Sequence, residues 1–160
     1  MKAFKSVLSS VALFSVFSLS YAQSKTFKVD GVPVAVGDSI ESVRAALNTT
    51  LEVQPTQSSA SKNNKELRLR TRGIWVFFDE RGAAYNIRLD APFMGSFGGV
   101  KIGDSYAQMV KQLGEPVKTI KIGFSMPGQQ DPVLYYPNDS LTLRFNFDRD
   151  GQIESAMMLK

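Results

Sequence analysis

The chain has 160 residues, of which 19 are basic and 15 acidic, and it contains neither histidine nor cysteine. The absence of histidine removes the commonest general base and metal ligand, and the absence of cysteine removes disulfides, thiol nucleophiles and zinc–thiolate clusters. We therefore expect a domain without a cofactor, held together by its core alone.

The first 22 residues have the three parts of a secretory signal peptide. Lys2 and Lys5 form the positive start, and Ser20-Tyr21-Ala22 has small residues at the −3 and −1 positions of a cleavage site. The apolar stretch between them is about 13 residues long, whereas a membrane-spanning helix needs about 20. We expect cleavage between Ala22 and Gln23 and a periplasmic protein with no stable membrane insertion. Loss of two lysines leaves a nearly balanced charge, which argues against a nucleic-acid partner.

Two motifs occur twice in the same order along the rest of the chain. The sequence Gly-Asp-Ser at 37–39 is repeated at 103–105, and the pattern Phe-Asp-x-x-Gly at 78–82 is repeated at 147–151. We therefore interpret the exported part as a single domain (residues 23–160) of two tandem pseudo-repeats, which span residues 26–91 and 97–160.

Each pseudo-repeat is expected to contain a short amphipathic helix that begins at the Gly-Asp-Ser motif. Asp38 with Glu41, and Ser105 with Gln108, have the spacing of capping boxes. Apolar residues then recur with helical spacing, and the second helix is expected to end at Gly114.

Strands with alternating polar and apolar residues follow each helix. An initial strand is expected at 27–36. The fold class is therefore α+β, with a short helix and then an antiparallel β-meander in each pseudo-repeat, and with both helices packed on one side of the sheets. The predicted meander strands are residues 66–71, 74–78 and 84–89, then 133–136, 141–147 and 153–159.

Two polar segments, residues 54–64 and 123–132, interrupt these patterns. One interpretation is that they are hairpin tips that tolerate sequence change. The other is that they form a pair of recognition loops at one edge, because binding residues often lie on loops held by a rigid scaffold.

The motifs that suggest catalysis or calcium binding are incomplete. Ser59 and Lys62 match the S-x-x-K pattern of serine acyl-enzymes, but no partner motif follows. Residues 146–151 resemble the first half of an EF-hand loop, but Met157 stands where a bidentate Glu is needed. The remaining carboxylates fall at turns and helix caps, so we expect no enzymatic activity.

One face of the predicted sheet is the candidate functional surface. Trp75 is out of phase with the apolar residues on either side of it, so either the second helix, the linker at 91–99 or a binding partner must lie against it. Aromatic residues with arginine are typical of protein–protein hot spots. The candidate binding residues are Trp75, Arg68, Arg70, Arg88, Arg144, Phe124 and Tyr135.

The motif Ile-Gly-Asp-Ser at 102–105, followed by Leu-Gly-Glu-Pro at 113–116 and the Phe-Asp-x-x-Gly turn, resembles the helix-then-meander unit of BamE/SmpA-like envelope proteins. Two such units in tandem resemble the β-lactamase inhibitory proteins. The strand at 73–79 and Pro-Phe-Met-Gly at 92–95 are also similar to uncharacterised bacterial families, some of them suspected immunity proteins. The resemblance implies this fold and a habit of binding proteins without catalysis. Unlike the first two families, this chain has no cysteine.

These observations predict an exported, non-catalytic protein-binding module of the inhibitor or immunity type. Its partner would be another protein, such as a toxin or a hydrolase. The alternative is a structural or assembly factor of the bacterial envelope, as the BamE-like resemblance implies.

Overall fold

A computed structural model of the chain describes residues 29–56, 63–122 and 129–160. The predicted signal peptide, the Ser59–Lys62 motif, Phe124 and the central parts of both polar segments lie outside the described residues. The α+β class is confirmed, because the described chain has two α-helices and a large antiparallel sheet.

The described elements follow one another in this order: β1 Val29–Asp30, α1 Ile40–Ala46, β2 Gln54–Pro55, β3 Lys65–Leu69, β4 Ile74–Phe78, β5 Ala84–Asp90, β6 Ser96–Phe97, α2 Tyr106–Leu113, β7 Lys118–Thr119, β8 Val133–Asn138, β9 Leu141–Phe147 and β10 Ile153–Leu159. Strands β4, β9 and β10 have the bounds that the sequence predicts. The initial strand is shorter than predicted, since its described part is strand only at Val29–Asp30.

Strand β3 also ends earlier than predicted, at Leu69. Residues Arg70–Arg72 form one turn of 3₁₀-helix, and Gly73 closes it in the left-handed region with φ 64°. A side chain at Gly73 would overlap the backbone carbonyl oxygen of Asp90, so this turn requires glycine. The turn removes Arg70 from the strand on which the sequence predicted it.

Eight of the strands form one antiparallel sheet in the order β2-β3-β4-β5-β10-β9-β8-β7, and β1 pairs with β6 separately. The central pair is β5 with β10, which joins a strand from the first half of the chain to the last strand. The face of the large sheet is therefore continuous from one half of the domain to the other.

One face of this sheet holds the core. Val43 of α1 and Met109 of α2 are fully buried in the same cluster as the apolar residues of the strands, so both helices cover this face. Directly paired residues define a row across six strands, which we call the inner row: Leu67, Val76, Ile87, Met158, Leu143 and Tyr135.

The helix caps are serines in both halves. Ser39 accepts a hydrogen bond from the Ser42 N–H at 3.2 Å and Ser105 accepts one from the Gln108 N–H at 3.3 Å. The Ser105–Gln108 capping box is confirmed, because Gln108 also accepts from the Ser105 N–H. The predicted Asp38–Glu41 box is wrong: the Asp38 carboxylate turns back to the Ala35 N–H, 2.8 Å away.

The two hairpin turns with the Phe-Asp-x-x-Gly pattern also have matching contacts. Asp79 Oδ1 accepts hydrogen bonds from the Arg81 and Ala83 N–H groups. Asp148 Oδ1 accepts them from the backbone two and four residues further on in the same way. Both carboxylates stabilise turns, and the EF-hand-like segment at 146–151 is a hairpin. The two-repeat organisation of the whole domain stays a prediction.

Candidate binding surface

The face of the large sheet opposite the helices, here called the outer face, has a second row of directly paired residues. We call it the outer row, and its members are Arg68, Trp75, Arg88, Met157, Arg144 and Leu134, in that order across strands β3, β4, β5, β10, β9 and β8. Basic and apolar side chains alternate along it. Every member is half-buried. Since neighbouring strands lie about 4.8 Å apart, successive arginines are separated by about 10 Å.

Trp75 lies between two of these arginines. The guanidinium carbon of Arg68 is 4.5 Å from the centre of the indole ring, and that of Arg88 is 5.4 Å from it. Each distance is within the range of a cation–π interaction. The two contacts restrict the indole to one arrangement before any partner arrives.

Each arginine of the outer row also contacts an acceptor two residues away on its own strand. Arg68 forms an ion pair with Glu66, and Arg88 Nε lies 3.2 Å from Asp90 Oδ2. Arg144 Nε donates a hydrogen bond of 2.8 Å to Asn146 Oδ1. Residues two apart on a strand share a face, so these contacts hold the arginines upright on the outer face.

Glu66 is the most buried charged group of this face, with its side chain 4% exposed. Its second oxygen, Oε2, has no hydrogen-bond partner among the described residues. Removal of Arg68 would therefore leave a buried carboxylate without its counter-ion, which is costly. Arg68 thus stabilises the fold as well as contributing charge to the surface.

A cavity of about 360 Å³ opens on the outer face beside Arg88. Arg88, Asn146, Ser155 and Met157 form its floor, and residues around it include Ile122, Gln129, Gln130 and Glu154. The Asn146 amide group Nδ2 donates a hydrogen bond of 2.9 Å to Ser155 Oγ. The cavity and the outer row therefore share Arg88 and Met157.

Four of the predicted binding residues, Trp75, Arg68, Arg88 and Arg144, lie together on the outer face. Arg70 is exposed in the 3₁₀ turn, beyond the end of the strand and outside the row. Phe124 lies outside the described residues.

Tyr135 lies on the covered face instead. It pairs with Leu143 in the inner row, contacts Phe145 edge to face, and its hydroxyl donates a hydrogen bond of 2.8 Å to the Gly114 carbonyl. Burial raises the pKa of Tyr135 to about 12. We therefore leave Tyr135 out of the proposed surface, because its hydroxyl holds the end of α2 and its ring fills the core.

Neither of the elements that could have covered Trp75 does so in the described part of the chain. Helix α2 lies over the opposite face. The linker at 91–99 also packs there, since Phe93 and Phe97 belong to the core and the Phe97 ring meets Phe145 edge to face at 5.6 Å. Trp75 is instead flanked by the arginines of its neighbouring strands.

Sequence reasoning missed Met157, Leu134, Asn146 and Ser155 as members of this surface. Their positions depend on the pairing of β10 with both β5 and β9. That pairing joins residues more than 60 positions apart, and no local pattern reports it. The only available signal was the period-2 alternation of β9, which places Arg144 and Asn146 on one side.

The described residues contain no group of three or more acidic side chains placed to hold a metal ion. Hydrogen bonds from backbone N–H groups, that of Ala83 above all, lower the pKa of Asp79, so this carboxylate is held in its ionised form. Within the described ranges, no helix has the length and apolar character to cross a membrane.

Comparison with known proteins gives no match: no protein-family model, no curated protein and no solved structure is significantly similar to this chain.

Proposed function

We propose that this protein is an exported, periplasmic module that binds another protein on the outer face of its sheet and has no enzymatic activity. The observation that carries the proposal is the outer row, in which three arginines alternate with Trp75, Met157 and Leu134. The inhibitor or immunity type, with a toxin or hydrolase as partner, is the form we favour.

The row has the composition of an interface centre. Tryptophan and arginine are the residues most enriched among hot spots, and binding removes water from both the rings and the stems of the arginines. Trp75 and the arginines are already held by cation–π contacts and by their neighbours Glu66 and Asp90. Less side-chain entropy is lost when such a surface binds.

The charges of the row define its partner. Arginines spaced about 10 Å apart across strands favour a surface with acidic groups around an apolar centre. Opposite charges of this kind speed the encounter and reject basic competitors. The partner we infer is therefore acidic where it meets this face.

We also infer that the domain consists of two helix-plus-meander pseudo-repeats, residues 26–91 and 97–160. The order of strands outward from the β5·β10 pair supports this, because the last strand of each half lies at the centre and the earlier ones follow towards each edge. The matching turns at Asp79 and Asp148 support it as well. Such an arrangement doubles the width of the face available to a partner, as the resemblance to tandem inhibitory proteins implies.

The test is a pull-down from native envelope extract with protein purified from cells that express the full chain with a tag after Lys160. We expect one stoichiometric partner, identified by mass spectrometry, and then measure its affinity for variants. Trp75→Ala and Arg144→Gln should each weaken binding by about tenfold or more, as substitutions at a hot spot do. Lys111→Gln, which removes the same charge from the exposed side of α2, is the matched control and should have no effect.

Unchanged affinity in both Trp75→Ala and Arg144→Gln would exclude the outer face as the binding surface. A set of outer-membrane assembly components instead of one partner would favour the alternative function, an envelope assembly factor. Arg68 is not used as a binding probe, since its loss would also destabilise the fold through Glu66.

A further inference from the structure

We propose that the cavity beside Arg88 is a carboxylate site, which receives one acidic side chain of the protein partner. This inference rests on the proposed function, because the partner that supplies the side chain is the one bound by the outer row. It adds a specific pocket and a specific chemical group to a surface that would otherwise act by charge and apolar contact alone.

The direction of the hydrogen bonds under the cavity carries the argument. An arginine can only donate, so Arg144 Nε must meet the oxygen of the Asn146 side chain, and the Asn146 amide group must then face Ser155. Ser155 Oγ accepts that bond, and its own O–H remains as a donor. No hydrogen bond from this hydroxyl to another group occurs in the described ranges. The chain Arg144–Asn146–Ser155 therefore ends in a donor at the cavity floor.

Ser155 is 2% exposed, so its hydroxyl has little access to bulk water. A buried donor without an acceptor costs free energy, and a bound oxygen atom would remove that cost. The residue is held in place by its cross-strand partners, Asp90 on one side and Asn146 on the other. The donor is thus fixed in position before binding, which is the arrangement that favours a ligand over a mobile solvent molecule.

Arg88 supplies the second donor and the positive charge. Its Nε faces Asp90, and its side chain both lines the cavity and lies 5.4 Å from the Trp75 ring. A carboxylate in the cavity would accept from the Ser155 hydroxyl and from the guanidinium, while Met157 provides an apolar floor for the methylene groups of an acidic side chain. Hydrogen bonds of this charge-assisted kind are about twice as strong as neutral ones.

Glu154 is the one acidic residue at the rim of the cavity, and it is exposed to solvent. Its charge opposes the entry of a carboxylate only weakly, because water and salt screen exposed charges. This position offers a variant that should improve the site, which a purely structural role for Ser155 and Asn146 would not predict.

The experiment is a titration of isotope-labelled protein, purified from cells that express the full chain, with glutamate blocked at both ends (N-acetyl-glutamate amide), followed by NMR. The neutral control probe is the blocked glutamine of the same shape. We expect the blocked glutamate to shift the backbone signals of Ser155 and Met157, and the blocked glutamine to bind at least about tenfold more weakly, since it lacks the charge.

The variants locate the contact. Ser155→Ala removes the terminal donor and should weaken blocked-glutamate binding by about tenfold, the value of one hydrogen bond to a charged group. Asn146→Asp accepts from both neighbours, so the Ser155 hydroxyl turns away from the cavity, and binding should fall at least as far. Glu154→Gln should strengthen binding by about twofold, as removal of an exposed like charge does.

Equal shifts with the two probes, or shifts that Ser155→Ala and Asn146→Asp leave unchanged, would overturn the carboxylate site. The same variants measured against the protein partner separate this inference from the proposed function. Partner binding that is lost in Trp75→Ala but intact in Ser155→Ala would remove the site and leave the binding surface. Specific blocked-glutamate binding with no partner on the outer face would remove the proposed function and assign the site to a free carboxylate.

Discussion

The inner and outer rows of the sheet occupy the same six strands, one residue apart. The inner row is apolar and at most 8% exposed at every position, whereas the outer row alternates arginine with apolar side chains and is half-buried throughout. Helices, not a second sheet, cover the inner row. The comparison shows that the sheet separates two tasks: one face stabilises the fold, and the other is free to present charge.

The outer row is more than a solvated polar face. A face that only has to dissolve would be expected to hold short or flexible charged side chains without fixed neighbours. Here Trp75 is held by Arg68 and Arg88, and each arginine has a neighbour that fixes its position. Ordering these side chains costs entropy in the free protein, which is recovered when a partner binds.

The sharpest comparison of the two faces uses neighbouring methionines on β10. Met158 is 5% exposed in the inner row, and Met157 is half-buried between Arg88 and Arg144 in the outer row. Met158→Ala should lower the free energy of unfolding by about 3 kcal/mol, because it leaves a cavity in the core. Met157→Ala, the matched control, should lower it by less than about 1 kcal/mol, because solvent can fill the space left behind. Urea denaturation measures both, and equal losses would mean that the outer face is as closely packed as the core.

A second, smaller effect tests where the outer face contributes to stability. Arg68→Ala should cost about 2 kcal/mol, because it leaves the buried Glu66 carboxylate without its ion pair. Arg144→Ala removes the same charge from the same row, but its acceptor Asn146 is neutral, so the cost should be no more than about 1 kcal/mol.

Thermal and urea unfolding of both arginine variants, together with Arg68→Ala/Glu66→Gln, measure the difference. The double variant should recover part of the loss, since no buried charge is then left unpaired. A double variant less stable than Arg68→Ala alone would show that Glu66 is not the cause.

The strands and caps could be predicted because they depend on local patterns. Leu141–Phe147 alternates cleanly between apolar and polar residues, and Ser105 stands three residues before Gln108, so both features follow from spacing alone. The sequence left two N-cap positions open in each half. The choice of Ser39 over Asp38 depends on which residue adopts the extended backbone just before the helix, and Asp38 is engaged by Ala35.

The surface was only partly predictable, because its members are brought together by strand order. Trp75 and Arg144 could be identified from alternation within their own strands. Nothing in the local sequence indicates that Met157 lies between Arg88 and Arg144, or that Ser155 ends a hydrogen-bond chain that begins on β9. Tyr135 was grouped with the surface because aromatic residues suit both a core and an interface, and only the pairing with Leu143 decides between them.

The smallest expected effect comes from neighbouring tyrosines on β8. Tyr135→Phe removes the hydrogen bond to the Gly114 carbonyl and should cost about 1 kcal/mol at neutral pH. Tyr136→Phe changes the next residue, whose ring is 48% exposed, and is the matched control with no expected cost.

The pH dependence makes this last comparison specific. Burial raises the pKa of Tyr135 from 10.0 to about 12, so the folded protein holds the phenolic proton more tightly than the unfolded chain does. The stability that this group contributes is therefore complete below pH 10 and is lost as the pH rises from 10 to 12. Urea denaturation across this range should show a loss of stability that is smaller in Tyr135→Phe than in the parent and unchanged in Tyr136→Phe. The same alkaline loss in Tyr135→Phe as in the parent would place this hydroxyl in contact with water, and the inner row would then be open at its β8 end.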